Sequence, residues 1–381
     1  MRSYPYIYDQ KITKYVYDKT HPILEIIRHK FLIKIFDDFY RITRKYNRHI
    51  IKPKTNDFIT RFVWKNISDI DPVIPYRSDN DYNYTQLKID LTNYKCKADN
   101  IISELNLEDR FKKFMRGFDK LYKEYDFNSK TKIKVNVEEK QLIYKNKYKV
   151  KYNDEILRKL VKYYNGNLEN RNNIIFCLLY RYSYLDAENQ QLAINLDFKE
   201  DLRVNFGVDI ELFGSGINRY FNKYCSLFYD IEYFFNSIGN FFNITPISGL
   251  YMANPAYDEE LMENMANKIV DTLKNTKYPL GYLITIPVWN QETSKKISNV
   301  CNTKVSNFTN YKCKEILVSS KYLYKEYIFC ARDFGYYGFM IGKYVFASNS
   351  YIFIVKNDLL EFDIKLFEKL LDKHKLKKIV L

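Results

Sequence analysis

Asn254-Pro255-Ala256-Tyr257 joins an apolar run, "SGLYMA", to the acidic start of an amphipathic segment, "DEELMENM". Four consecutive residues thus bring together an amide oxygen, a carbonyl whose direction a proline restrains, and an aromatic ring. Two acceptors and a ring face are what a planar amine needs to be held by its hydrogens and covered. The same four residues also fit an exposed Asn-Pro-x-Tyr sorting signal or a plain turn. A sorting signal calls for a flexible tail beside a membrane span, and no run here approaches about 18 apolar residues. The catalytic and turn readings stay open on the tetrapeptide alone.

The elements around it decide its setting. From about Val204, short apolar runs ending in Gly, Asn, Asp or Pro alternate with helical segments. Expected strands are Tyr224–Tyr229, Phe241–Ile247, Leu250–Ala253, Tyr282–Pro287, Glu315–Ser319, Tyr327–Ala331 and Tyr351–Lys356. Expected helices cover 258–275 and 361–373. Alternation of this kind predicts an α/β sheet, in which ligands sit at the carboxyl ends of strands. The tetrapeptide falls at such an end.

Upstream, only Gly117 precedes Gly166, and so glycine-poor a stretch favours helices. Apolar residues at helical spacing predict helices over 23–46 and 101–123, and Asn153 is placed to cap another over 154–164. The run 172–185 reads as a strongly apolar helix. Residues 51–98 read as polar and irregular, and Ile133–Val137 with Tyr148–Tyr152 as a β-hairpin. The expected division is a mainly helical, basic domain over 1–190 and the α/β domain over 191–381. Arg28, Lys30, Lys34, Arg41, Arg44, Lys45 and Arg48 lie on or just beyond the first helix. Arg41, Arg44, Lys45 and Arg48 are candidates to track an RNA backbone, against the plainer reading of a solvated face.

The chain has 381 residues, a formal charge of +15 and 17% aromatic residues. Excess positive charge suits a polyanion, and aromatics interleaved with it favour nucleic acid over a merely lysine-rich surface. Six cysteines without a Cys-x-x-Cys pair and four histidines outside ligand spacing argue against a metal site. Scattered single cysteines suit a reducing compartment, and the N-terminal residues lack a signal-like apolar core. The reading is a protein of the cytoplasm, with the nucleus as the alternative, and no membrane partner.

Amine-methylating enzymes on doubly wound sheets carry Asp/Asn-Pro-Pro-Tyr/Phe at a strand end, which Asn254–Tyr257 resembles. More specifically, residues 211–262 resemble the methyltransferase core of the phosphorylated-CTD-interacting-factor family, the cap-specific adenosine N6-methyltransferases abbreviated CAPAM. The likeness rests on Phe213, Ser215, Asn218, Tyr220 and Phe221, then Tyr224, Cys225, Ser226, Phe228 and Asp230. It continues through Phe235, Ser237 and Gly239, Pro246, Ser248 and Gly249, the tetrapeptide, and Glu259–Met262. "ITIPVW" with Trp289, "SNSYIFIVKND" with Asn349, and "CLLYRYSYLD" (177–186) extend it to about 174–358.

The resemblance implies a Rossmann-like class I methyltransferase domain. It would transfer methyl from S-adenosylmethionine to adenine N6 of the cap-adjacent 2′-O-methyladenosine of capped mRNA. By position, Asn254 and the Pro255 carbonyl would hold the amine and Tyr257 would stack on the base. Phe213, Gly214, Ser215 and Asn218 would form the cofactor loop. Asp230, closing a strand, with Phe235 and Ser237, would complete the cofactor site, and Trp289 and Asn349 would line the nucleotide pocket. No metal is implied. Ala256 stands where the family has a second proline. Two alternatives remain: an N6-adenine methyltransferase of internal RNA or DNA sites, and a catalytically inactive RNA-binding homologue. The family's metazoan members also carry a WW domain that reads polymerase tails. Trp64 and Trp289 are the two tryptophans of this chain, so neither that domain nor that partner is expected.

Overall fold

In a computed structural model, all residues are described except 1–3, 13, 80, 128–131, 186–190, 304–310, 375 and 377–381. Asp186, the last residue of the 177–186 likeness, therefore lies outside the described residues. The chain divides into residues 13–188 and residues 1–12 with 189–381. The division is not a single cut near residue 190, because β1 (Ile7–Gln10) pairs antiparallel with residues 244–248 of the second unit.

The 13–188 unit opens with α1 (Pro22–Tyr46), started by Pro22 and capped by the His21 ring, which accepts the Ile23 N–H. α2 (Lys52–Lys65) and α3 (Thr85–Asn93) occupy the stretch expected to be irregular. In α2 the buried face is Phe58, Ile59, Phe62 and Val63, a helical spacing that the surrounding charges hide. The expected helix over 101–123 is two helices, α4 (Ala98–Leu105) and α5 (Leu107–Glu124). Asn106 breaks it by adopting φ 45°, a left-handed conformation that asparagine tolerates. The expected hairpin is a meander of β2 (Ile133–Asn136), β3 (Gln141–Tyr144) and β4 (Tyr148–Lys151). The intervening Gln141–Tyr144 pairs with both neighbours. Asn153 caps α6 (Asp154–Tyr163) through the Ile156 N–H at 2.7 Å, as its spacing predicts. α7 (Arg171–Tyr184) is the apolar helix, buried along most of its length.

Arg28 is not part of a basic surface. It is fully buried, with Glu25 and Arg181, between α1, α7 and the 68–76 segment. Glu25 accepts from Arg28 Nη1 (2.8 Å), from Arg181 Nη2 (2.6 Å) and Nε (3.0 Å), and from the Tyr184 hydroxyl (2.9 Å). Asp71 accepts from Arg28 Nη2 at 2.7 Å and from the Val73 and Ile74 N–H groups. Two carboxylates and two guanidiniums balance, so no net charge is buried.

The second unit comprises β5 (Leu192–Ile194), α8 (Leu196–Phe206), β6 (Ile210–Glu211), β7 (Lys223–Tyr224), α9 (Tyr229–Glu232), β8 (Ile244–Ala253), α10 (Glu259–Asn275) and β9 (Leu280–Pro287). It continues with α11 (Gln291–Cys301), α12 (Lys312–Ser319), β10 (Leu323–Phe329), α13 (Ala331–Phe334), β11 (Tyr336–Gly338), β12 (Lys343–Val345), β13 (Ser350–Lys356) and α14 (Ile364–Lys373). Residues 315–319 are helical, not extended, since Cys313 and Leu317 bury one face of α12 at i,i+4. The strand expected over 224–229 ends at Tyr224, and the two runs 241–247 and 250–253 merge into β8.

The main sheet runs β10-β13-β9-β8-β6-β7. β7, β6, β8 and β9 are parallel, and β13 runs antiparallel to β9 and β10. Its two faces are both covered. Tyr251, Ala253, Ile284 and Ile286 pack with Met262, Met265 and Ile269 of α10. Leu250, Met252, Leu283 and Ile352 pack with Phe198 and Leu202 of α8 and Phe367 and Leu371 of α14. Burial on both faces explains why these strands read as continuous apolar runs. β5, β11 and β12 form a separate antiparallel sheet.

Two cysteines expected to be single, Cys301 and Cys330, form a disulfide with Cα atoms 5.2 Å apart, because the end of α11 meets the end of β10. Cys96, Cys177, Cys225 and Cys313 are free and buried. Among the described residues no helix is long and apolar enough to cross a membrane, and no group of three or more His, Cys, Asp or Glu could hold a metal ion.

The buried ion cluster generates a prediction. Burial pushes the Glu25 carboxyl up, but Arg181 and Arg28 outweigh it and hold the group below the usual carboxylate range. Its contribution is complete above the unfolded value of about 4.3 and is lost as pH falls below it. Arg181→Leu leaves Glu25 and Asp71 to share Arg28, one buried negative charge in excess, and urea unfolding at neutral pH should show a loss of about 3–5 kcal/mol. A loss below about 1 kcal/mol would contradict the role given to the cluster.

Candidate functional site

From β6 the chain goes outward to β7 and then returns to β8 on the opposite side of β6. The strand order therefore reverses at the carboxyl ends of β6 and β8, where doubly wound sheets bind ligands. Leu212 N–H donates to Met252 O at 2.8 Å, so the loops leaving the two strands start side by side. One is the glycine loop 213–218 and the other is the tetrapeptide.

Asn254–Tyr257 is nearly the whole connection from β8 to α10. Asp258 ends it by capping the helix, its carboxylate accepting the Leu261 N–H at 2.9 Å, while its own N–H donates to Ala256 O at 2.8 Å. Asn254 is half-buried, and its Oδ1 is shut off from solvent with no hydrogen-bond partner among the described residues. A buried acceptor without a donor costs free energy, so such an atom points to an absent donor. Tyr257 sets its ring edge-on to Trp289, centroids 5.9 Å apart, and to Tyr336 at 6.3 Å. Its hydroxyl bonds to that of Tyr336, which bonds in turn to Ser350 Oγ at 2.7 Å. Burial pushes the Tyr257 phenol above its ordinary value, so it stays neutral and is not a base. Trp289 follows β9, where Val288 N–H donates to Asn349 O at 2.8 Å.

The glycine loop is held from within. Ser215 N–H donates to Asn218 Oδ1 (2.8 Å), and Ser215 Oγ accepts from the Ile217 and Asn218 N–H groups while bonding to Gln191 Oε1. Gly216 N–H donates to the buried Glu232 carboxylate at 2.8 Å. A Cβ on Gly214 would sit 3.3 Å from the Tyr224 ring and 3.4 Å from Glu211 Cγ, a contact that only glycine avoids. Glu211, at the end of β6, accepts from Lys199 Nζ at 2.7 Å and from Tyr220 N–H, so a buried ion pair closes the far end of the loop. The loop thus offers backbone with little side chain at the strand end. Its residues fit a group that needs close backbone approach, such as a nucleoside carrying an amino-acid arm.

Other expected residues are placed differently. Asp230 does not close a strand: it lies in the first turn of α9 and is buried. Phe235 is fully buried and belongs to the core. Ser237 Oγ bonds to Ser226 Oγ at 2.6 Å beside the parallel Tyr224–Ser237 bridge, which ties the chain to β7. Phe213 packs against Phe241 and Phe242. Asn349 engages both ends of its amide within the protein, accepting from Ala331 N–H and donating to Thr303 Oγ1, each at 2.9 Å. These two bonds fix the Asn349 amide at the start of β13. Arg41, Arg44, Lys45 and Arg48 are exposed in the 13–188 unit. Arg41 pairs with Asp38, Lys45 with Glu104, and Arg44 lies over the Tyr40 ring. Glu211, Glu232, Gln191 and Tyr336 escaped sequence reasoning. The one signal for the two acids was a carboxylate inside otherwise apolar runs, "DIELFG" and "YDIEYFF".

Residues 154–326 match a family model described as the phosphorylated CTD interacting factor 1 WW domain. A mouse (Mus musculus) protein named mRNA (2′-O-methyladenosine-N(6)-)-methyltransferase is 33% identical over 132 residues, 33% of this chain and 19% of that protein. A human (Homo sapiens) protein of the same name is 32% identical over the same length and shares. The chain spans 19% of the length of these curated relatives. The likeness read from the motifs is borne out. The name of the family model runs against the expectation that no WW domain is present. The matched residues include one tryptophan, Trp289, and comprise α6, α7 and the strands and helices that carry both loops.

An acceptor kept for an absent donor should be dispensable to the fold. Asn254→Ala removes a desolvation penalty of about 1–3 kcal/mol. Thermal unfolding should therefore show a midpoint at or above the wild-type value, and a loss above about 2 kcal/mol would mean that Asn254 is structural.

Proposed function

We propose, from the match of residues 154–326 to the phosphorylated CTD interacting factor 1 family model, that the protein methylates adenine N6 in RNA. The substrate that its relatives' names indicate is the 2′-O-methyladenosine of mRNA, and we propose the cap-adjacent adenosine of capped mRNA as the target. The donor is S-adenosylmethionine, and the fold is a Rossmann-like class I methyltransferase domain. The parallel β7-β6-β8-β9 core with its reversal between β6 and β8 supports that fold.

The observation that carries the reading is Asn254 Oδ1, a solvent-excluded acceptor beside the glycine loop. The lone pair of an adenine amine is delocalised into the ring, which makes the nitrogen a poor nucleophile. Asn254 Oδ1 and the Pro255 carbonyl accept its two N–H bonds, which favours a pyramidal nitrogen and fixes the direction of its lone pair. Tyr257, with Trp289 at its edge, covers the base and excludes water. S-adenosylmethionine, when bound, supplies an electrophilic methyl group, and the 213–218 backbone is where it would be held. No base need act before transfer: the methylated nitrogen is acidic and loses its proton to water. Recognition of polymerase tails forms no part of the proposal.

Ala256, in place of a proline, gives one specific reason to keep the catalytically inactive RNA-binding reading as the alternative. Incubation with methyl-labelled S-adenosylmethionine and RNAs beginning with capped or uncapped A or G separates the cases. Label should enter RNA that begins with capped adenosine, and Asn254→Ala should reduce it at least about 100-fold, the usual order for one transition-state hydrogen bond. Equal labelling of uncapped or internal adenines would favour the internal-site enzyme. RNA binding without any label would favour the inactive homologue.

A further inference from the structure

The fourth residue of the tetrapeptide does more than present a ring. Tyr257 is tied by its hydroxyl to Tyr336, which is 2% exposed at the start of β11. Tyr336 bonds on to Ser350 Oγ (2.7 Å), and Ser350 Oγ donates to Ser348 O at 3.2 Å. The three hydroxyls of Tyr257, Tyr336 and Ser350 thus form one continuous hydrogen-bonded chain. Ser350 stands opposite Pro287, the last residue of β9, in the β13–β9 pairing. Tyr336 itself is held in register on both sides, opposite Ile194 of β5 and Val345 of β12. The chain of hydroxyls therefore runs from the catalytic loop to the fixed ends of two strands of the main sheet and into a second sheet.

Ala256 gives the loop no ring to restrain φ between Pro255 and Tyr257. A phenylalanine at 257 would have the same ring face and edge contacts but no anchor. We propose that Tyr336 is a positioning residue that holds Tyr257, and through it the Asn254 acceptor, in the geometry for transfer, replacing by a side-chain tether the stiffness that Ala256 does not provide. The inference rests on the methyltransferase reading for its kinetic part and on geometry alone for the tether.

Two measurements test it. In steady-state methyl transfer, Tyr336→Phe and Tyr257→Phe should each lower kcat about three- to tenfold, the order expected for one hydrogen bond, with KM for S-adenosylmethionine unchanged. The double variant should be no worse than either single one, since both remove the same link. Ala256→Pro should restore kcat in Tyr336→Phe, a rescue that a merely structural defect would not show. Wild-type kcat in Tyr336→Phe, or losses that multiply in the double variant, would overturn the proposal. The second measurement needs no activity. In a Trp64→Phe background Trp289 is the single tryptophan, and its ring packs edge-on to Tyr257. Tyr336→Phe should shift its emission and lower its steady-state anisotropy, whereas unchanged emission and anisotropy would overturn the tether. Should the wild type transfer no methyl while Trp289 responds, the tether stands and the activity reading falls.

Discussion

The second unit presents a buried acceptor, Asn254 Oδ1, held away from water at the end of a central parallel strand. A protein of ordinary marginal stability does not keep such a defect without support. β8 and β9 are buried on both faces, and their apolar side chains anchor the strand whose end presents the asparagine. The Asp258 cap fixes where α10 begins, so the connection is too short to turn the amide outward. Each of these features is ordinary. Their joint effect is to leave an acceptor where the strand order reverses.

Around that atom the protein's own polar groups hold the neighbouring loops. Ser215, Asn218, Gln191 and Glu232 close the glycine loop on itself, and Glu211 with Lys199 seals its far end. Tyr257, Tyr336 and Ser350 close the aromatic side. Asn349 accepts from Ala331 N–H and donates to Thr303 Oγ1. Loops held by several internal hydrogen bonds are preorganised, which limits the reorganisation that binding requires. The balanced ion cluster of Glu25, Arg28, Asp71 and Arg181 follows the same rule in the 13–188 unit, where buried charge is tolerated because every charge has a partner.

What was legible in the sequence was local. The passage from strand to turn to helix across 250–262 is written in adjacent residues: an apolar run, a proline, an aspartate cap and an apolar stripe. The tetrapeptide's place follows from it, as do α1, α6 with its Asn153 cap, α7 and β9. What escaped depended on neighbours distant in the chain. Tyr336 reaches Tyr257 across 79 residues, Arg181 reaches Glu25 across 156, and Cys301 reaches Cys330 across 29. Short elements were also misread when tertiary contacts overrode local preference. Glu315–Ser319 looks extended but turns helical to bury Cys313 and Leu317, and Asn106 interrupts a stripe that is otherwise continuous. Asp230 and Phe235, motif positions read as cofactor contacts, lie within helix and core, a setting that the motif spacing does not reveal.

The central claim is that Asn254 Oδ1 waits for one hydrogen of an adenine amine while the Pro255 carbonyl takes the other. The most direct measurement is the NMR spectrum of capped RNA whose first adenosine carries ¹⁵N at N6, bound to the protein together with S-adenosylhomocysteine. The account predicts two separate amino-proton resonances, both shifted downfield from the free RNA, because each proton is held by its own acceptor. One exchange-averaged resonance at the free position in a saturated complex would contradict it.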